Sequence, residues 1–82
     1  MALFIGIHKL SRGAKEKQMK DGWKNYRKAC KKMGLKPISV SYSTKKRIAW
    51  CQTEAKSQSE VRKAHQNVSI PLADVIEAKT LR

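Results

Sequence analysis

The apolar residues of this chain change their spacing from two to three-or-four and back again, twice, within 82 residues. Side chains alternate across a strand with period two and return to one helix face every 3.6 residues, so each change of spacing marks a change of local structure. Leu3-Phe4-Ile5-Gly6-Ile7-His8 is short and rich in strand formers, which predicts a first strand with Leu3, Ile5 and Ile7 on one face and Phe4, Gly6 and His8 on the other. Ser11-Arg12-Gly13 breaks it and supplies candidate helix caps. From Ala14 to Met33, the residues Met19, Trp23, Tyr26, Cys30 and Met33 recur at spacings of 4, 3, 4 and 3, one stripe of a helix. Gly34 follows as the residue suited to a left-handed helix end, and Pro37 prevents continuation. Gly22 lies inside this helix, at a cost of up to about 1 kcal/mol relative to alanine, and the sequence offers no firm reason for it.

Ile38, Val40 and Tyr42 alternate with Ser39, Ser41 and Ser43, the pattern of a half-buried strand. Ser43-Thr44-Lys45-Lys46 reads as a hairpin turn, and Arg47 to Ala55 as a third strand. In that strand Ile48, Trp50, Gln52 and Glu54 share one face, while Ala49, Cys51 and Thr53 share the other. Ser57 with Glu60 three residues later forms a capping box for a second helix, Gln58 to Asn67, whose stripe is Val61, Ala64, His65 and Val68. Pro71 lies in the next loop, and Ala73 to Leu81 supplies the last strand. With short connections and right-handed crossovers, this order builds a four-stranded antiparallel sheet with two helices on one face. The expectation is therefore one α+β domain over residues 1–82, of the ferredoxin-like βαββαβ kind. The second sheet face is left open, which in so small a domain favours stacking on another copy, a homodimer, or a ligand.

Composition narrows the function. No apolar run approaches the ~18 residues of a membrane span, and Leu3 to Ile7 is too short for a signal-peptide core. We therefore expect a cytoplasmic protein that makes no use of a membrane. The only two cysteines, Cys30 and Cys51, form no CxxC pair, which argues against redox and zinc-ribbon chemistry; each by itself suits a small buried position. Nucleotide, zincin and hydrolase motifs are absent, and the six carboxylates form no acid/base pair. A Cys51–histidine nucleophile would lack a third, orienting residue. A binding protein is expected rather than an enzyme.

Two kinds of ligand remain, beside the reading of a ligand-free structural dimer. His8, Cys51, Glu54 and His65 offer two imidazoles, a thiol and a carboxylate, a set that suits nickel, copper or zinc. The first and third strands are neighbours in this strand order, so His8 comes near Cys51 or Glu54. Strand alternation sends Cys51 and Glu54 to opposite faces, so both can serve one ion only if the strand bends or ends, or if a second chain contributes. His65 on an apolar stripe also fits the role of a hydrogen-bonded core histidine.

The second partner is a polyanion. Residues 1–47 hold 14 Lys/Arg against two carboxylates, a balance of +12 out of the total of +13. Lys20, Lys24, Arg27, Lys28, Lys31 and Lys32 in the first helix, with Lys45, Lys46 and Arg47 in the hairpin, form a footprint that would contact phosphates without sequence preference. Arg47-Ile48-Ala49-Trp50 lacks the glycine and aromatics of an RNA-stacking strand. A solvated, solubilising face accounts for the same charges.

The segments Trp50-Cys51-Gln52-Thr53-Glu54-Ala55, Val61-Arg62-Lys63-Ala64-His65 and Ile70-Pro71-Leu72-Ala73-Asp74-Val75-Ile76-Glu77, with Phe4-Ile5-Gly6-Ile7-His8, resemble a family of small ferredoxin-like proteins. That family, formerly of unknown function, includes a bacterial nickel-binding protein. The resemblance is best from Trp50 to Glu77 and implies a dimer paired through its sheets, with Ni2+ or another divalent transition metal as ligand. The chain departs from the family pattern in having no histidine between His8 and His65, in Lys56 after Glu-Ala, and in Ser69 before Ile-Pro.

Overall fold

The computed structural model describes residues 1–82. Its elements are β1 (Ala2–Lys9), α1 (Glu16–Met33), β2 (Lys36–Ser43), β3 (Ile48–Ala55), α2 (Gln58–Asn67) and β4 (Asp74–Ala78). The strands pair antiparallel in the order β2-β3-β1-β4, so β1 and β3 run at the centre. Phe4, Ala49, Cys51, Thr53, Ala55 and Val75 are buried on the face that carries the two helices, against Tyr26, Cys30, Val61 and Ala64. The α+β, ferredoxin-like architecture is the expected one.

The open sheet face holds Leu3, Ile5, Ile7, Ile48 and Trp50, all half-buried, with Ile76 45 % exposed beside Ile5. Beneath the helices, a buried pair ties α1 to β3: the Tyr26 hydroxyl and Thr53 Oγ1 are 2.6 Å apart, and both residues are almost wholly inaccessible. A pair of hydroxyls satisfies itself, which is what allows two polar groups to lie in this core.

The boundaries differ from the sequence reading where backbone hydrogen bonding decides. α1 starts at Glu16 rather than Ala14, and its cap is Lys15, whose N–H donates to Gln18 Oε1 at 3.0 Å. Ser57 caps α2 by accepting from the Glu60 N–H at 3.4 Å, while Glu60 Oε1 takes the Lys56 N–H rather than that of Ser57. The last strand ends at Ala78, not Leu81, since β1 offers no pairing partner beyond Leu3 opposite Ala78. Ile38 does not continue the buried face of β2. The register shifts between Pro37 and Ser39, leaving Ile38 43 % exposed; Pro37 has no N–H to donate to the ladder, and a bulge accommodates that loss at an edge strand.

Candidate metal centre

Two central strands and the last turn of α2 bring three ligand-type side chains together. Cys51 sits opposite Gly6 in the β1–β3 register, and His8 lies one step further along β1 on the same, helix-covered face. His65 hangs down from α2 onto this point. Cys51 Sγ is 3.3 Å from His65 Nε2 and 3.5 Å from His8 Nε2. All three ligand atoms lie within 4.8 Å of one another. The imidazole rings tilt across each other with centroids 5.1 Å apart, and Tyr26 backs the His65 ring at 4.1 Å.

The remaining ring nitrogens set the chemistry. His8 Nδ1 is 2.9 Å from the Pro71 carbonyl oxygen, and His65 Nδ1 is 2.7 Å from that of Val61. A carbonyl oxygen only accepts, so in the neutral ring each Nδ1 carries the proton and each Nε2 keeps its lone pair. Both lone pairs are therefore directed at the Cys51 sulfur. This is the outer arrangement found around metal-bound histidines, where a carbonyl fixes tautomer and ring orientation.

Burial keeps the whole group neutral without a cation. Desolvation holds the His8 imidazole below its ordinary range. The same cause, opposed by the Val61 hydrogen bond and helped slightly by the nearby His8, takes His65 down to about 4. The Cys51 thiol is pushed up to about 11 by burial, with the Gly6 backbone acting in the opposite sense. At neutral pH this leaves a thiol with one proton to donate and two imidazole acceptors.

Gly6 makes the convergence sterically feasible. A Cβ at this position would lie 2.8 Å from Cys51 Sγ, 3.1 Å from Leu72 Cδ2 and 3.4 Å from His65 Cε1. Sequence reading did not find this residue, because the need for glycine appears only once cross-strand register and α2 placement are known.

The spacing suits a metal ion. Bonds of ~2.3 Å to sulfur and ~2.0–2.1 Å to nitrogen at a tetrahedral angle put N and S roughly 3.5 Å apart, close to the 3.3 and 3.5 Å found. Glu54 is not part of this cluster. It pairs with Leu3 on the opposite sheet face, so β3 stays regular, and the residues brought within ligand distance of one another in the single chain are His8, Cys51 and His65. Cys30 is fully buried against Tyr26 and stands apart from the cluster.

A pocket of about 520 Å³ opens beside the three residues, between α1 and the ends of β1 and β3. The basic residues lie elsewhere. Lys20, Lys24, Arg27, Lys28, Lys31 and Lys32 are exposed along α1, and Lys45, Lys46 and Arg47 are exposed in the hairpin. Tyr42 donates to Glu16 at 2.9 Å, which sets the start of α1 beside the hairpin end of β2. The helix then runs back along that strand, so the basic set is strung along the molecule rather than gathered at one point. The molecule has two ion pairs, Lys20–Glu16 at 3.9 Å and Arg62–Asp74 at 4.0 Å, so most of this charge is unpaired. No helix is long and apolar enough to cross a membrane.

No protein-family model and no curated protein matches the chain. Among solved structures, the fold is similar to that of SCO4226 from Streptomyces coelicolor, with a TM-score of 0.90 at 15 % identity over 99 % of this chain and 100 % of the other.

Proposed function

We propose that this protein is a binding protein for a divalent transition metal, held by the Nε2 atoms of His8 and His65 and the thiolate of Cys51. The observation that carries the reading is the convergence of both imidazole lone pairs on one sulfur, with each ring locked by a backbone carbonyl. One soft and two borderline donors favour nickel, copper or zinc over magnesium, calcium or manganese. Nickel is the first ion to test, as the family resemblance implies. The cation supplies the free energy that the buried thiol lacks for losing its proton.

Nickel titration of tag-free, chelator-treated protein, followed by ultraviolet absorbance and calorimetry, tests this reading. A thiolate-to-metal band that saturates at one ion per chain, and is lost in Cys51→Ser, supports it. His8→Ala and His65→Ala should each weaken uptake by at least about tenfold, the usual effect of losing a metal-site residue. A flat titration with nickel, copper and zinc overturns it.

The apolar residues of the open sheet face support a second element of the proposal, a homodimer formed face to face through the sheets. The unpaired basic residues of α1 and the hairpin support a different reading, non-specific contact with nucleic acid or another polyanion. Salt-sensitive retention on heparin supports it, and elution at low ionic strength counts against it.

A further inference from the structure

Three protein ligands leave a four-coordinate ion, tetrahedral or square-planar, with one free position. Here that position has somewhere to lead: the His8–Cys51–His65 group forms part of the wall of the pocket of about 520 Å³. This volume falls in the range of small-molecule sites, ~300–1,000 Å³. Its other walls are mostly apolar, with Met19, Trp23, Val40 and Ile70 among them. Lys9 is the one charged residue in the lining, and no carboxylate lies there. Arg12 and Lys15 belong to the same β1–α1 connection whose Ser11 and Ala14 line the pocket.

Gly22 is a second, independent observation. It lies in the interior of α1 and lines this pocket. A Cβ built on it would meet nothing nearer than Ile70 Cδ1, at 3.9 Å. Neither close packing nor a left-handed backbone therefore requires glycine here, although glycine costs the helix up to about 1 kcal/mol against alanine. What its missing side chain does is leave the pocket wider.

Charge selects the occupant. A divalent ion bound by one thiolate and two neutral imidazoles keeps a net charge of +1, and a half-buried site disfavours any uncompensated charge. A monoanionic fourth ligand cancels it, whereas a neutral one does not. We propose that the metal-loaded protein captures a small organic monoanion, a carboxylate or thiolate, whose donor atom takes the open metal position and whose apolar body fills the pocket beside Gly22, Trp23 and Ile70. The proposal rests on the metal reading above and names the ligand class of that same site.

Cobalt(II) is a suitable probe, because its visible bands report both uptake and a change of fourth ligand. The cobalt-loaded chain is titrated with phenylacetate, acetate and benzyl alcohol. Phenylacetate should shift the bands and bind at least about tenfold more tightly than acetate, through burial of its ring, and benzyl alcohol should leave them unchanged. Gly22→Leu should retain the cobalt spectrum and its response to acetate while losing about tenfold in phenylacetate affinity, since the new side chain occupies the ring's space. Equal binding of acetate and phenylacetate, or unshifted bands with both, overturns the inference and leaves the metal reading intact. Absence of cobalt bands in the wild-type chain overturns both. The three-probe comparison on the wild-type chain decides the matter even where Gly22→Leu does not fold.

Discussion

At the scale of single residues, the site depends on one absence and one depressed basicity. The absence is the side chain of Gly6. In Gly6→Ala a methyl group would sit 2.8 Å from Cys51 Sγ with Leu72 close on its other side, so the sulfur or the β1–β3 contact must shift. Overpacking of this kind costs about 1–3 kcal/mol. We expect a lowered midpoint of denaturant unfolding and metal affinity reduced by at least about tenfold, checked by urea melts and competition against a chromophoric chelator. The depressed basicity is that of His65, which protonates near 4 in the fold and near 6.5 when exposed. Between those values the unfolded chain holds the extra proton, so stability is complete above pH 6.5 and falls as pH drops toward 4. The separation corresponds to roughly 3 kcal/mol. Metal-free melts at pH 7.5 and pH 4 should show that loss, and His65→Gln should show less of it. These residue-scale features were unevenly visible in the sequence. The ligand types and the alternation that separates Cys51 from Glu54 could be read directly, because alternation is a local property. The carbonyls of Pro71 and Val61 and the clearance above Gly6 could not, because they depend on how three distant segments meet.

At the scale of elements, the two helix ends show the same backbone solution with opposite residues. Gly34 ends α1 at φ 74°, where glycine is at ease, with the Leu35 N–H returning to the Cys30 carbonyl at 2.9 Å. Ser69 follows α2 at φ 57°, a left-handed conformation that a serine adopts at a cost. Gly34→Ala should therefore lower stability, and Ser69→Gly should raise it, each by about 1 kcal/mol, measured as opposite shifts of the thermal midpoint. The first of these ends was legible, since glycine after an apolar stripe is a specific stop signal. The second was not, because serine carries no such signal. The same contrast holds in the strands. Alternation revealed β1, β2 and β3, but it assigned Ile38 to the inner row, and the bulge after Pro37 turned it outward. Val40 and Tyr42 keep the inner row, opposite Cys51 and Ala49, so the bulge displaces Ile38 alone, and alternation cannot foresee where such an extra residue falls.

For the whole molecule, the two sheet faces carry different groups. The proposed metal centre and its pocket lie on the helix-covered side, and the open side presents Leu3, Ile5, Ile7, Trp50 and Ile76. If two copies pair through that open side, Trp50→Lys or Ile76→Lys should convert a dimer to a monomer in sedimentation velocity with metal uptake per chain unchanged. Loss of uptake together with the dimer would show that the partner completes the site. The order of elements, and so the whole fold class, was legible because each element carries its own periodicity and the connections are short. The open face was legible as a consequence of that order.

His8 and Cys51 are 43 positions apart in the chain, and Cys51 and His65 are 14 apart. The complete ligand set exists only where the central strands pair and α2 docks. We predict that an ion held there would bind late on the folding route, stabilise the finished state more than the folding transition state, and so slow escape from the fold rather than speed its formation. In stopped-flow experiments a chelator should accelerate unfolding while refolding proceeds at an unaltered pace, and the loaded protein would persist by slow escape, a form of endurance set by metal supply rather than by the size of its core.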